Sequence, residues 1–285
     1  MFKYYTWLRQ NFQEAHVAEI GIIGGSGFYN ISGDATPEET RVELIGEKSV
    51  DTPYGKPSDV YKMLRIAGRD VIFLPRHGTG HGIAPHKVNY RANIWGFKEL
   101  GVSSIFAIGA TGGINKILLP GDIVILDQLV DMTKGRPSTF YEEGEVYHID
   151  FTYPFCPQLR TDLIEVAKTL GLSVYDDGIY VCTEGPRLET KQEIKFFAGM
   201  GADVVGMTAM PEAVLARELQ ICYSTVAVVT NHAAGVTPAK LTVTEVKDAM
   251  DKAYNKLNRL LAAAVAIAKP QRNCQCKDAL KDAKA

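Results

Sequence analysis

The sequence has no strong excess of either charge and no long hydrophobic run. It contains 31 lysines and arginines against 33 aspartates and glutamates, which gives a net charge of −2. Nucleic-acid binding usually needs a basic surface, and a membrane helix needs roughly 18 apolar residues in succession. We therefore expect no nucleic-acid or membrane partner. Trp7, Arg9 and Glu14 stand where a secretory signal would need an apolar core, which predicts a cytoplasmic protein.

Cysteine is scarce, and the five cysteines form an odd number. Cys156, Cys182 and Cys222 have apolar or aromatic neighbours, so we expect them to be buried free thiols. Cys274 and Cys276 form a Cys-Gln-Cys motif in a polar segment. A metal site would need further ligands, and this segment supplies none, so no metal is expected. A reactive or disulfide-forming pair and a segment without function are the alternatives.

The 285 residues, 46% of them hydrophobic, are enough for one large core. Apolar runs at residues 20–23, 105–108 and 226–229 predict buried strands, and segments with helical periodicity separate them. This alternation predicts an α/β fold: a single domain with a central mixed, largely parallel β-sheet flanked by helices. We assign the domain to residues 19–268. Residues 1–18 form an extension, helical or disordered, and residues 269–285 form a polar tail.

Polar residues follow the ends of predicted strands between residues 180 and 231. Apolar strands that stop at polar or glycine-flanked residues are typical of a binding site at one edge of an α/β sheet. Leu188 offers an apolar wall, Glu189 and Asn231 offer hydrogen bonds, and Thr208 offers a hydroxyl group. The sequence therefore predicts one pocket built from these strand ends.

Three other segments could bind an anion. Ser26 lies in a glycine-rich turn at residues 24–27, and a second glycine-rich stretch at residues 109–113 follows a predicted strand. Arg76 and His77 also follow a strand, and the arginine fork matches phosphate or carboxylate. A structural turn and a surface ion pair are the alternatives. The first glycine segment lacks the full Gly-x-Gly-x-x-Gly spacing, which disfavours a nicotinamide-dependent oxidoreductase.

The motifs, taken in order, resemble those of the trimeric nucleoside phosphorylases over roughly residues 19–268. This family includes purine nucleoside, methylthioadenosine and methylthioinosine phosphorylases. The motifs are Gly24-Gly25-Ser26-Gly27, Arg76-His77-Gly78, Gly112-Gly113, Glu184-Gly185-Pro186, Met207-Thr208 and Pro211-Glu212. The resemblance implies a pentosyltransferase of purine salvage, in which inorganic phosphate displaces a purine from C1′ of the sugar. It implies no cofactor, because phosphate is a co-substrate.

The resemblance also implies roles for individual residues. Phosphate is expected at Ser26, Arg76, His77, the backbone of Ala110 and Thr208. The ribose is expected against Met207 and His81. Gly109 stands where adenine-specific relatives carry a threonine that helps to hold phosphate.

The base-binding residues favour 6-oxopurines. Asn231 stands where relatives that cleave 6-aminopurines carry aspartate, and an amide can donate to O6 and accept from N7–H. Glu189, beside Leu188, matches the family's glutamate that accepts from N1–H of hypoxanthine or guanine. Its alternative interpretation is a solvated residue at a helix start. The segment Met210-Pro211-Glu212 and the segment after Asn231 together most resemble the corresponding segments of methylthioinosine phosphorylases.

The residues expected at the 5′ position of the sugar indicate only a mild preference for its substituent. His148 matches a residue that a neighbouring subunit contributes to this pocket, which implies a homotrimer or a hexamer formed as a dimer of trimers. Val243 and Val246 match apolar residues that suit a methylthio group, although both can equally be core residues of the last helix.

Three other functions are open. One is a general phosphorylase for inosine and guanosine, and another is a methylthioadenosine phosphorylase. The third is a non-catalytic purine-binding sensor, which would have no use for the set Ser26, Arg76, His77 and Thr208.

Overall fold

The structure is a computed structural model that describes residues 18–26, 28, 42–238, 243–269 and 273–285, without the side chains of residues 243–245. Most of the predicted N-terminal extension therefore lies outside the described residues, as does the side chain of Val243.

In the described part of the chain, ten strands form one sheet. They are β1 (Ile20–Gly24), β2 (Val42–Lys48), β3 (Tyr61–Ile66), β4 (Arg69–Pro75), β5 (Ser104–Gly113), β6 (Ile123–Ile125), β7 (Gln128–Met132), β8 (Ile179–Thr183), β9 (Val204–Gly206) and β10 (Cys222–His232). The α-helices are α1 (Tyr90–Glu99), α2 (Pro157–Thr169), α3 (Lys191–Gly199), α4 (Ala209–Glu218) and α5 (Val243–Ile267). Short 3-10 helices cover Pro85–Lys87 and Gln275–Asp278.

The sheet runs in the order β2-β3-β4-β1-β5-β9-β8-β7, and β10 pairs with both β5 and β6. The pairs β1–β4, β1–β5, β5–β10, β7–β8 and β8–β9 are parallel. The pairs β2–β3, β3–β4, β5–β9 and β6–β10 are antiparallel. The predicted α/β fold with a mixed central sheet is confirmed.

Alternation along the strands divides the core between the two faces of the sheet. Phe106 and Ile108 enter a cluster that α2 and α5 cover, whereas Ile105 and Ala107 enter a cluster that α1 and α4 cover. A third, smaller cluster packs α3 beneath β8 and β9. Among the described helices, none combines the length and apolar character that a membrane crossing requires.

Strand β5 changes neighbours along its length, and this change opens the sheet. It pairs with β1 as far as Ala107 and with β9 from Gly112 onward. On that edge, in the part of the chain that the structure describes, residues 108–111 have no strand partner. A point where neighbouring strands part is where α/β sheets bind ligands.

Three details differ from the prediction. Residues 109–113 are not a loop but the second half of β5, because β10 pairs with this segment up to Gly113. Residues Thr230 and Asn231 lie within β10, at an irregularity in its pairing with β5, rather than after the strand. The tail is not wholly solvated, because the Cys274 and Cys276 side chains are buried in the core.

Candidate active site

One pocket occupies the opening beside β5, and we call it the strand-end pocket. Its wall includes β5 residues from Gly109 to Gly112 and the ends of β9 and β10. Ten of the thirteen predicted site residues line it: Ser26, Arg76, His77, Ala110, Leu188, Glu189, Met207, Thr208, Asn231 and Val246. The structure therefore brings together residues that are up to 220 positions apart in the sequence.

A buried ion pair fixes Arg76 at one end of this pocket. Its Nε and Nη2 donate to the two carboxylate oxygens of Glu212, each at 2.7 Å, and its Nη1 donates to the Ile108 carbonyl at 2.8 Å. Tyr223 Oη donates to the same carboxylate at 2.7 Å. Burial lowers the pKa of Arg76, but the Glu212 carboxylate outweighs it and the net shift is upward. Arg76 is therefore permanently charged and held in one orientation.

The arginine fork faces Glu212 rather than the pocket, which the sequence did not predict. Three of the five N–H groups of the guanidinium are engaged in the bonds above, so two remain for a ligand. The turn after β1 packs directly on the guanidinium, because a Cβ added at Gly25 would lie 2.9 Å from Arg76 Nη1 and 2.5 Å from Ile108 O. Glycine is thus required beside Ser26.

His77 is held as a neutral imidazole beside Arg76. Its Nδ1 lies 2.8 Å from the Ile83 carbonyl, so we assign the ring proton to Nδ1. Burial and the positive charge of Arg76 lower the pKa of His77 to about 4. With Nδ1 as a donor, Nε2 is left as an acceptor at neutral pH. The ring of His81 packs against it at a centroid distance of 4.6 Å, although His81 does not line the pocket.

Glu189 and Asn231 provide polar groups elsewhere in the pocket. Helix α3 begins after its N-cap Thr190, so Glu189 precedes the helix and is not a residue of its first turn. Its carboxylate accepts from Thr183 Oγ1 at 2.6 Å. The Asn231 amide accepts from Thr230 Oγ1 and donates to the His232 carbonyl, each at 2.9 Å. Both side chains are thus oriented by their neighbours, and each keeps free hydrogen-bonding capacity.

Arg136 connects the segments that carry these residues, and sequence reasoning missed it. It donates to the carbonyls of Met207 at 2.8 Å, Met210 at 2.7 Å and Glu184 at 2.6 Å. Its charge pairs with the Glu184 side chain at 3.0 Å. The only signal in the sequence was the long segment after residue 131, whose glycines and aromatic residues favour a functional loop.

His148 does not reach the pocket of its own chain. Its side chain is exposed, and its backbone N–H donates to the Ala283 carbonyl at 2.8 Å. Contact with a nucleoside would therefore require the pocket of another subunit. Val246 lines the pocket, while the side chain of Val243 lies outside the described residues.

Comparison with known proteins identifies the family to which this chain belongs. Residues 19–266 match the sequence model of the phosphorylase superfamily. A probable S-methyl-5′-thioinosine phosphorylase of Thermodesulfovibrio yellowstonii is 48% identical over 93% of this chain and 97% of that protein. The 6-oxopurine nucleoside phosphorylase of Pyrococcus furiosus is 49% identical over 93% of this chain and 98% of that protein.

A solved structure agrees with these matches. Methylthioadenosine phosphorylase from Schistosoma mansoni, in complex with adenine, superposes with a TM-score of 0.85 at 33% identity, covering 93% of this chain and 96% of that chain. The chain is therefore an enzyme that belongs to the phosphorylase superfamily, as the resemblance of its motifs predicts.

Proposed function

We propose that the protein cleaves the N-glycosidic bond of 6-oxopurine nucleosides with inorganic phosphate, releasing the base and a ribose 1-phosphate. The observation that carries this proposal is the strand-end pocket, which combines anion-binding side chains with the polar pair Glu189 and Asn231. Relatives at 48–49% identity bear the names of 6-oxopurine and methylthioinosine phosphorylases. Inosine, guanosine and 5′-methylthioinosine are the proposed substrates.

The proposed phosphate site uses four side chains and one backbone group. Ser26 and Thr208 offer hydroxyls, Ala110 offers its backbone, and Arg76 offers the two N–H groups that Glu212 and Ile108 leave free. Neutral His77 can accept from the O–H of monohydrogen phosphate through Nε2. The site would thus hold the nucleophile by directed hydrogen bonds and one fixed positive charge.

Catalysis would follow from position and electrostatics. As the glycosidic bond breaks, the ribosyl group acquires oxocarbenium character, and the phosphate beneath it stabilises this positive charge. Electron density shifts onto the departing purine, which takes up a proton from solvent at N7, and Asn231 can accept a hydrogen bond from that N7–H. Holding both reactants in one pocket replaces a bimolecular encounter with a unimolecular step.

Base selectivity would rest on Glu189 and Asn231 together. Glu189 accepts from N1–H of a 6-oxopurine, while Asn231 donates to O6 with its remaining amide proton. Adenine lacks the N1 proton and carries an amino group at position 6. A mismatched buried polar contact costs about 1–3 kcal/mol, so mismatches at Glu189 and Asn231 together favour hypoxanthine or guanine by tenfold or more.

The subunit arrangement is part of the proposal. His148 is exposed on its own chain, as a residue that completes a neighbour's 5′ pocket must be. Val246 gives the pocket an apolar wall that suits a methylthio group. We therefore propose a homotrimer or a dimer of trimers in the cytoplasm, acting on small molecules with no cofactor in the reaction.

Phosphate dependence tests the reaction type. Base release from inosine should be negligible in phosphate-free buffer and should saturate as phosphate is added, with ribose 1-phosphate as the second product. Equal rates without phosphate would indicate a hydrolase, and binding of hypoxanthine without any turnover would indicate a sensor. Light scattering should give at least a trimer, and a fully active monomer would contradict the shared pocket.

A further inference from the structure

The Glu189 carboxylate is held by a residue that lies outside the strand-end pocket. Thr183 is the last residue of β8, and it does not line the pocket, whereas Glu189 does. The Thr183 hydroxyl donates to Glu189 Oε1 at 2.6 Å, and this is the one hydrogen bond of that carboxylate within the described residues. The orientation of Glu189 therefore depends on Thr183.

The strand and the loop that carries Arg136 fix the position of Thr183. Its backbone is in parallel register with Met132 of β7, and its carbonyl accepts from Arg136 Nη2 at 3.2 Å. All five N–H groups of Arg136 are directed at oxygens of the protein, so none is left for a ligand. Arg136 thus holds the end of β8 without contacting a substrate.

Alternation along β8 determines where the Thr183 hydroxyl points. Val181, two residues earlier, enters the small cluster that packs α3 beneath the sheet. Thr183 therefore faces the same side, where it meets Glu189 directly before Thr190, the N-cap of α3. The contact follows from the fold and not from a chance rotamer of an exposed side chain.

The Thr183 hydroxyl has one proton, and two oxygens lie within reach of it. Glu189 Oε1 is 2.6 Å away and the Gly206 carbonyl is 3.3 Å away. An ionised carboxylate and a carbonyl can only accept, so the hydroxyl is the donor. A distance of about 2.5–2.7 Å is typical of a charge-assisted O–H···O⁻ bond, so we assign the proton to the Glu189 bond.

A neighbouring arginine gives Glu189 an alternative direction. Arg187 is exposed, and it donates to both carboxylate oxygens of Glu193, at 2.7 and 2.9 Å. These bonds, and to a smaller degree the charge of Glu189, raise the pKa of Arg187. Without the Thr183 bond, the Glu189 side chain could turn toward this guanidinium and away from a base.

We propose that Thr183 is a specificity-determining positioning residue, whose hydroxyl occupies Oε1 of Glu189 and leaves Oε2 to accept from N1–H of a 6-oxopurine. This inference rests on the proposed function, because it uses the assignment of N1–H to Glu189. A carboxylate that is oriented before binding loses less rotamer freedom when the base arrives, so a base with an N1 proton binds more tightly. Adenine has no N1 proton and gains nothing from this orientation.

Steady-state kinetics of two isosteric variants tests the inference. The measurement is kcat/KM for inosine and for adenosine at saturating phosphate. Thr183→Val keeps the shape of the side chain and suits a strand, and it should lower the value for inosine about three- to tenfold while that for adenosine stays within about twofold. Thr183→Ser keeps the hydroxyl and should keep the wild-type ratio. Thr169→Val is the matched control, because it removes a hydroxyl that donates to the Glu165 carbonyl at 2.9 Å in α2, and it should change neither value.

A double-mutant cycle shows whether Thr183 acts through Glu189. In a Glu189→Ala background, Thr183→Val should not change the ratio of inosine to adenosine any further, since no carboxylate remains to be oriented. An unchanged ratio in Thr183→Val would overturn the inference, as would equal losses for both nucleosides or independent effects in the cycle. Loss of the preference in Thr183→Ser would also overturn it. Wild-type enzyme that prefers adenosine would instead contradict the proposed function, and this inference with it, before any variant is compared.

Discussion

Replacing Glu212 with glutamine removes the negative half of the ion pair that holds Arg76. The Arg76 side chain is 1% exposed and Glu212 is 0% exposed. Removing one partner of such a pair leaves a buried charge without compensation, which costs about 3–5 kcal/mol. We expect Glu212→Gln to lower the free energy of unfolding by about this amount in urea denaturation at pH 7.

The same substitution should increase the stabilisation that added phosphate gives. In the wild type, Glu212 already neutralises Arg76, whereas in the variant a bound phosphate would supply the missing negative charge. A ligand at a hundred times its Kd stabilises a protein by about 2.7 kcal/mol, so a lower Kd appears directly as a larger shift in the unfolding midpoint. Urea denaturation of both proteins at a series of phosphate concentrations measures this difference.

Glu218 offers a matched control in the same helix. It is also buried, but it accepts from the Phe140 backbone N–H at 2.7 Å instead of pairing with an arginine. Since a glutamine oxygen can still accept this bond, Glu218→Gln should cost about 1 kcal/mol and leave the phosphate response unchanged. Equal losses in the two variants, or equal phosphate responses in all three proteins, would refute the reasoning.

Three further sets of substitutions test other parts of the pocket. Burial and the Arg76 charge lower the pKa of His77 to about 4. His77 therefore takes up a proton near pH 6.5 in the unfolded chain but only near pH 4 in the folded protein. The free energy of unfolding of the wild type should therefore fall as the pH drops from 6.5 to 4. That of His77→Gln should fall by about 2–3 kcal/mol less over the same range, as measured by urea denaturation. A Cβ at Gly109 would lie 4.0 Å from Thr208 Oγ1, so Gly109→Thr should add a hydroxyl near the phosphate and lower its KM severalfold in steady-state kinetics. Asn231→Asp should narrow the preference for 6-oxopurines in kcat/KM, and Glu189→Gln should impair inosine more than adenosine.

Each of these three sets of predictions has an outcome that would contradict it. An unchanged pH dependence in His77→Gln would assign the proton to another group. A raised phosphate KM in Gly109→Thr would show that the added side chain obstructs the site. An unchanged ratio of kcat/KM in Asn231→Asp would remove that residue from base recognition.

The sequence predicted which residues line the pocket better than it predicted the contacts between those residues. Strand ends are visible as apolar runs that stop at polar residues, so Arg76, Thr208 and Glu189 were found. Glu212 belongs to a recognisable motif, but its bond to Arg76 joins residues 136 positions apart, and no local pattern reports such a pair. The direction of the arginine fork could therefore be known only from the structure.

The length of β5 and the partial burial of the tail also could not be predicted from the sequence. Glycines at residues 109–113 predict a break, yet β10 pairs with this segment and overrides the weak local preference for a turn. Within residues 273–285, eleven of the thirteen residues are not buried, which agrees with the polar character of the tail. The sulfurs of Cys274 and Cys276 lie within 4.8 Å of those of Cys156, which precedes α2, and Cys222, which begins β10. No local sequence pattern reports contacts between residues so far apart in the chain.

Base selectivity of the wild-type enzyme is the most direct test of the proposed reaction. The measurement is kcat/KM for 5′-methylthioinosine and for 5′-methylthioadenosine, at saturating phosphate and in the same buffer, so that the two substrates differ only at the 6-position of the base and its N1 proton. Glu189 and Asn231 predict a preference for 5′-methylthioinosine of about tenfold or more. A preference for 5′-methylthioadenosine would contradict the assignment of both residues.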